Sequence, residues 1–181
     1  RAVVENRSEE SVSRLLTVDP GEGTGGEPRS VRVEVGPGEV RVPSLDVDIP
    51  AATPWTPQTP ACYRLTATLS GDGDELSTRY GMRTLATGGA RLTLNGDPFF
   101  LKGVNWHEES PTRGRSLAPA DYDDVFDHLD GLNATFLRNS HYNRHPKLYD
   151  AADEAGVVVM DEADNMWLDG RQQRTQLEGY G

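Results

Sequence analysis

Cysteine is almost absent from this chain of 181 residues, because Cys62 is its single one. A disulfide within the chain and a zinc site built from several cysteines are therefore excluded. Long apolar runs are absent too, since no segment approaches the roughly 18 apolar residues that a membrane-spanning helix needs. No signal peptide is recognisable. The location stays open, with the cytoplasm slightly favoured over secretion.

Lysine is also scarce, and Lys102 and Lys147 are the only two. The 29 acidic residues outnumber the 18 basic ones, which gives a formal net charge of −11. An acidic surface repels phosphate groups, so we expect neither nucleic acid nor an anionic membrane as a partner. A salt-adapted source and a GC-rich genome both fit the lysine content.

Residues 1–86 have the pattern of β-structure. Short alternating apolar runs recur between turns rich in Gly, Pro and Asp, at 2–5, 12–18, 31–35, 40–42, 45–49, 63–69 and 76–85. About seven short strands without a helical period predict an immunoglobulin-like β-sandwich. The segment 53–60 contains three prolines, which exclude a central strand, so we expect an ordered extended loop held by Trp55.

From residue 87 to 181 the pattern changes to strands that alternate with helices. Helices are predicted at 119–132 and 146–155, where Pro119 and Pro146 suit first helical turns, His145 begins the second helix and Gly156 ends it. The apolar runs 99–104, 134–137 and 157–160 predict strands that are buried on both faces, as in a parallel sheet. Three such strands suit either the start of a (β/α)₈ barrel or the start of an open sheet.

Polar residues follow each of these three strands. The carboxyl end of a parallel sheet is where such folds carry their sites. The runs are NWHE at 105–108, RNSH at 138–141 and DE at 161–162.

Four segments, in order along nearly the whole chain, resemble glycoside hydrolase family 2, the superfamily of β-galactosidases, β-glucuronidases and β-mannosidases. The run 94–108 (LNGDPFFLKGVNWHE) resembles that family at its first barrel strand, 138–142 (RNSHY) at the second, and 153–162 (DEAG, an apolar strand, DE) at the third. The runs 55–65 and 80–84 resemble the end of its immunoglobulin-like domain. Asn143 stands where the family usually has Pro, and Thr135 where it often has Asn. These two departures bear on the assignment to a subfamily more than on the assignment to the family.

The resemblance implies an all-β immunoglobulin-like sandwich at 1–86, followed at 87–181 by the start of a (β/α)₈ TIM barrel. It also implies retaining hydrolysis of β-linked glycosides, for which two carboxyl groups about 5–5.5 Å apart are needed. Both glutamates are expected after later strands, beyond Gly181, so no catalytic residue is assigned within the chain. Since the chain starts without Met and stops in a polar stretch, we expect a cut piece that is inactive alone.

Several present residues receive roles from the resemblance. His107 and His141 are implied to bind the sugar, and Asn105, as a polar residue at a strand end, is expected to line the same pocket, although a structural role for each stays open. Arg138 is implied to orient the nucleophile, or else to pair with Glu108 or Glu162, because a buried guanidinium needs a carboxylate. Glu108, Asp161 and Glu162 are expected to support the pocket through hydrogen bonds or ion pairs. Trp106 and Trp167 either stack on sugar rings or close the barrel mouth.

The implied partner is a carbohydrate, with no cofactor and no metal. Whether the sugar is a galactoside, a glucuronide or a mannoside stays open, as does homo-oligomerisation of the full-length enzyme. Two alternatives remain. One is a metal-dependent (β/α)₈ hydrolase or lyase that uses His107, Glu108, His141 and Asp161. The other is a noncatalytic carbohydrate-binding protein.

Overall fold

The structure is a computed structural model, and it describes residues 1–71 and 74–162. The described residues are mostly β, with two helices. They form two compact units, one of Arg1–Trp55 with Ala61–Arg83 and the other of Thr56–Pro60 with the chain from Thr84 onward. Neither helix is long and apolar enough to cross a membrane.

The first unit contains antiparallel strands only, among its described residues. A four-stranded sheet has the order β3-β2-β5-β6, and β1 pairs with β4 outside it. The strands are β1 (Val4–Glu5), β2 (Val12–Asp19), β3 (Arg29–Val35), β4 (Val40–Arg41), β5 (Tyr63–Leu69) and β6 (Glu75–Tyr80).

Alternation along the strands builds the core of this unit. Side chains two residues apart lie on the same face of a strand, so Leu16 and Val18 of β2 are buried together with Val33 and Val35 of β3. Two predicted strands differ from the structure. The run 45–49, which lies between Pro43 and Pro50, forms no ladder, and Leu45 and Val47 pack against the core instead. The run 76–85 is interrupted after Tyr80.

Trp55 explains that interruption. Its ring is 1 % exposed, and its backbone N–H donates to the carbonyl oxygen of Met82 at 2.7 Å. The carbonyl of Met82 is therefore used by Trp55 and not by a strand neighbour. The guanidinium of Arg83 lies 5.1 Å from the centre of the Trp55 ring. The segment 53–60 contains no strand, only a single bridge between Thr56 and Thr59, which confirms the predicted loop.

The second unit begins with a small antiparallel sheet that the sequence analysis did not predict. Its strands are β7 (Leu85–Gly88), β8 (Arg91–Leu94) and β9 (Asp97–Pro98). Asn95 and Gly96 connect β8 to β9 with φ angles of 52° and 91°. Asn-Gly with positive φ at both positions is a strong hairpin signal, so this sheet was readable from the sequence.

Parallel strands and helices follow: β10 (Gly103–Trp106), α1 (Pro119–Gly131), β11 (Phe136–Asn139), α2 (Pro146–Ala155) and β12 (Val158–Met160). The sheet has the order β10-β11-β12 and is parallel throughout, which confirms the predicted alternation. Helix α2 has the predicted bounds, with His145 as its N-cap and Gly156 as its C-cap. The first strand was predicted too early, because the backbone N–H of Phe99 bonds Leu92 in the small sheet and Phe100 is exposed.

Both helices share one core with the middle strand. Leu137 of β11 and Leu148 of α2 are fully buried, together with Phe126 and Leu129 of α1. Burial of each such side chain contributes about 1.5–3 kcal/mol. This core holds the loops after the three strands in place.

Candidate functional site

The strand register brings the polar strand ends together. In the parallel sheet, Asn105 of β10 lies beside Arg138 of β11, and Arg138 lies beside Met160 of β12. The rings of His107 and His141, which follow β10 and β11, have their centres 5.4 Å apart, with an angle of 61° between their planes. The two imidazoles therefore form one surface at the carboxyl edge of the sheet.

Arg138 is the centre of a hydrogen-bond network at this edge. Its Nη1 donates to Oδ1 of Asn105 at 3.3 Å and to Oγ of Ser140 at 3.0 Å, and its Nη2 donates to Oε1 of Glu162. Oε2 of Glu162 lies 3.1 Å from Nδ1 of His141. Glu162, one of the two carboxylates expected as an alternative partner, thus balances the Arg138 charge and also contacts a histidine.

Glu108 lies in a different network. Its Oε1 accepts a hydrogen bond of 2.6 Å from the hydroxyl of Tyr122 on α1. Its backbone N–H donates to the hydroxyl oxygen of Tyr142 at 3.2 Å. Burial, and after it the hydrogen bond to Glu108, raises the pKa of Tyr122 well above its ordinary value. Glu108 thus fixes α1 to the end of β10.

Asp161 contacts β11 and α2. Its Oδ1 accepts from the side-chain amide of Asn139 at 3.3 Å. Burial, followed by a hydrogen bond to the Asp161 carboxylate, raises the pKa of Tyr149. Asn139 is fully buried. This carboxylate therefore holds the strand ends against α2.

Arg144 is a further residue of the site, and the sequence pattern did not predict it. It is 6 % exposed, and its Nη2 donates to the carbonyl oxygens of Trp106 at 2.7 Å and of Ser140 at 2.5 Å. Its guanidinium lies 3.9 Å from the centre of the Tyr142 ring. The signal for it in the sequence was the arginine itself, which follows Asn143 and lies between His141 and His145.

Trp106 is partly buried against the helical core, and its ring meets Tyr122 edge-on with centres 6.4 Å apart. This placement favours the structural role for Trp106. Trp167 lies outside the described residues.

Chemically, the edge offers exposed imidazole, amide and carboxylate groups that can exchange hydrogen bonds with hydroxyl groups. Asn105 and His107 are exposed, and His141 is half-buried. Within residues 1–71 and 74–162, no group of three or more His, Cys, Asp and Glu side chains is arranged to hold a metal ion.

Two stretches of the chain match known protein families. Residues 2–83 match the family described as glycosyl hydrolases family 2. Residues 86–177 match the one described as glycosyl hydrolases family 2, TIM barrel domain.

Curated relatives include two β-galactosidases. The chain is 35 % identical over 118 residues to that of Arthrobacter sp. (strain B7), covering 65 % of this chain and 11 % of the relative. It is 35 % identical over 125 residues to that of Klebsiella pneumoniae, covering 66 % of this chain and 12 % of the relative. The chain thus spans only about an eighth of the length of these relatives.

Solved structures are also similar. A GH2 β-galacturonidase from Eisenbergiella tayi, bound to glycerol, matches with a TM-score of 0.86 and 26 % identity, over 96 % of this chain and 31 % of that chain. A β-glucuronidase from Bacteroides uniformis matches with a TM-score of 0.79 and 23 % identity, over 90 % of this chain and 20 % of that chain. With one family domain matched at 2–83 and a second at 86–177, this chain belongs to glycosyl hydrolase family 2.

Proposed function

We propose that this chain is part of a retaining glycoside hydrolase that cleaves the O-glycosidic bonds of β-linked sugars, with β-galactosides the first candidates. The observation that carries the proposal is the contact between the His107 and His141 rings at the carboxyl edge of a parallel sheet. Glu162 contacts His141 and pairs with Arg138 at the same edge. This edge lies in the stretch that matches the family's TIM barrel domain. The curated relatives named above are β-galactosidases.

The fold proposed for the full-length protein follows from the two units. Residues 1–86 would be an immunoglobulin-like β-sandwich, which the antiparallel sheet β3-β2-β5-β6 supports. Residues 87–181 would begin a (β/α)₈ barrel, which the parallel order β10-β11-β12 with intervening helices supports. The division is proposed near residue 86, close to the end of the first compact unit at Arg83.

Hydrolysis with retention needs two carboxyl groups about 5–5.5 Å apart. One carboxylate attacks the anomeric carbon while the other, as an acid, protonates the leaving oxygen. Water, deprotonated by the same second group, then releases the sugar from the covalent intermediate. We place both glutamates outside this chain, so the chain alone is inactive.

We assign the residues of this chain to binding the sugar and orienting the nucleophile. His107, His141 and Asn105 would hydrogen-bond to sugar hydroxyls, since imidazole and amide groups supply both donors and acceptors. Arg138 would orient the nucleophile, with Glu162 sharing its charge. Glu108 and Asp161 would hold the strand ends through Tyr122 and Asn139. The partner is a carbohydrate, and neither nucleic acid nor a membrane is proposed as another.

The test is an assay of the full-length polypeptide that contains this chain. It uses 4-nitrophenyl β-galactoside, β-glucuronide and β-mannoside, with NMR detection of the first sugar released. We expect turnover of one of them with release of the β-anomer. We also expect a loss of about 10²-fold or more in kcat/KM for the variant His107→Gln, His141→Gln, since donors that act in the transition state contribute on this scale.

Three results would contradict the proposal. Release of the α-anomer excludes retention. Loss of activity on chelation of a stoichiometric bound metal would favour the metal-dependent alternative. Sugar binding without any turnover would favour the noncatalytic one.

A further inference from the structure

Arg144 is a buried cation without a carboxylate partner among the described residues. Its Nε and Nη1 atoms are buried and meet no hydrogen-bond acceptor within residues 1–71 and 74–162. Its charge lies instead over aromatic rings, 3.9 Å from the centre of Tyr142 and 5.6 Å from the centre of Trp106. Burying a guanidinium without an anion is costly, so the contacts that it does make call for an explanation.

Those contacts converge on the two histidines. A single nitrogen, Nη2, donates to the carbonyl oxygens of Trp106 and Ser140. These carbonyls belong to the peptide groups that lead directly into His107 and His141. One hydrogen-bonding atom thus joins the backbone after β10 to the backbone after β11, at the positions where the imidazoles begin.

We propose that Arg144 is a positioning residue that sets the spacing of the His107 and His141 rings for sugar recognition. The inference rests on the proposed function, in which these imidazoles contact sugar hydroxyls. Charge-assisted hydrogen bonds are short and directional, and stacking on Tyr142 restricts the guanidinium to one plane. Arg144 itself is buried and bonds the carbonyls that precede the two histidines, so it acts through them.

The position of α2 contributes to this arrangement. Arg144 directly precedes His145, which caps α2 by accepting a hydrogen bond from the N–H of Lys147 at 3.1 Å. Since Leu148 holds α2 in the core, the backbone from which the Arg144 side chain extends is also held in place. A rigid support of this kind keeps site groups within the small tolerances that catalysis needs.

The experiment compares variants of the full-length polypeptide by crystallography and kinetics. Arg144→Met removes both hydrogen bonds. We expect the ring centres, now 5.4 Å apart, to shift by about 1 Å, with kcat/KM falling about 10²-fold, as misplacements of this size do. Arg144→Lys can still donate to both carbonyls and should keep the spacing, with a loss below about tenfold.

The matched control is Arg113→Met. It removes the same charge from an exposed side chain that pairs with Asp121 and does not contact either histidine-bearing peptide. We expect kcat/KM to stay within about twofold, because exposed ion pairs contribute little.

A double-mutant cycle separates positioning from general stability. In the background His107→Gln, His141→Gln, Arg144→Met should cost less than about threefold, because groups that act as one unit are not additive. A loss in that background as large as in the wild-type background would overturn the proposal. So would an unchanged ring spacing in Arg144→Met.

The proposal stays testable if a variant does not fold or if the wild-type polypeptide is inactive. If Arg144→Met does not fold, Arg144→Lys decides: a loss above tenfold while both carbonyl hydrogen bonds persist would overturn the proposal. If the wild-type polypeptide hydrolyses no β-glycoside, the proposed function fails, whereas the ring spacing in the variant crystals still tests the role of Arg144.

Discussion

Tyr122 donates a hydrogen bond of 2.6 Å from its hydroxyl group to Oε1 of Glu108. The phenol is 5 % exposed and belongs to the core beneath the parallel sheet, whereas Glu108 follows β10. One bond therefore joins the first helix of the α/β unit to the carboxyl edge of its first strand. It gives Glu108 a structural task next to His107.

Replacement of Tyr122 by Phe should lower the free energy of unfolding by about 1.5–3 kcal/mol, the usual contribution of a hydrogen bond to a charged group. The ring and its packing are kept, but Glu108 loses its buried donor. Urea denaturation followed by circular dichroism measures the change. Asp124→Asn, exposed on the same helix, is the control and should change it by less than about 0.5 kcal/mol. Equal effects of the two variants would refute the role of this bond.

Alkaline pH should weaken the fold through Tyr122 and Tyr149. Burial, and then a neighbouring carboxylate, raises the pKa of each phenol. The stability that the neutral phenols contribute is complete below the unfolded pKa of about 10 and is lost as the pH rises towards the folded pKa. Titration of tyrosinate absorbance should show a late-ionising fraction in the folded protein. That fraction should vanish in urea and should shrink in the variant Tyr122→Phe, Tyr149→Phe, in which Tyr80 still has a pKa raised by burial. Its absence from the folded wild-type would contradict the prediction.

Gly156→Ala should destabilise the protein strongly. Gly156 has a φ of +72°, and an added Cβ would lie 2.3 Å from the carbonyl oxygen of Pro57. The backbone conformation alone costs an alanine about 1–2 kcal/mol, and the clash adds to this. Gly131→Ala is the matched control, because Gly131 ends α1 and an added Cβ there meets open space. This variant should raise the free energy of unfolding by up to about 1 kcal/mol. Thermal unfolding compares the two, and a neutral Gly156→Ala would show that the backbone there can move.

The start of α1 lacks half of its cap. Asp121 accepts a hydrogen bond of 2.6 Å from the backbone N–H of Ala118, but Ala118 has no side-chain oxygen to return it. Ala118→Ser should therefore raise the free energy of unfolding by about 0.5–2 kcal/mol. Ala120→Ser, inside the helix, is the control and should not stabilise. An Ala118→Ser variant no more stable than wild-type would contradict the expectation.

Acid should act on the same helix start. The hydrogen bond from Ala118 lowers the pKa of Asp121, helped by Ser110 and Arg113 and opposed by burial. A lowered pKa contributes stability above the unfolded value of about 4, which is lost as the pH falls. Asp121→Asn should therefore reduce the loss of stability between about pH 5 and pH 2. An unchanged acid profile in this variant would argue against the carboxylate.

Local patterns carried much of the fold. The apolar period, Pro146 and Gly156 predicted both ends of α2, because its caps and its buried face are written in neighbouring residues. The segment 45–49 alternates like a strand, yet its neighbours in space leave it without a ladder. The Asn95-Gly96 turn carried a readable hairpin signal, but the run 99–104 that follows it was predicted as the first parallel strand.

By itself, the sequence determined the family, the order of strands and helices, and the polar residues that end each parallel strand, since these depend on residue types and short spacings. Tertiary structure decided the partners. Strand register brings Arg138 to Glu162, which is 24 positions away in the sequence. Helix packing brings Tyr122 to Glu108, which is 14 positions away. Arg144 shows the same limit most clearly, because its role lies in two backbone carbonyls, and every residue in the sequence has one.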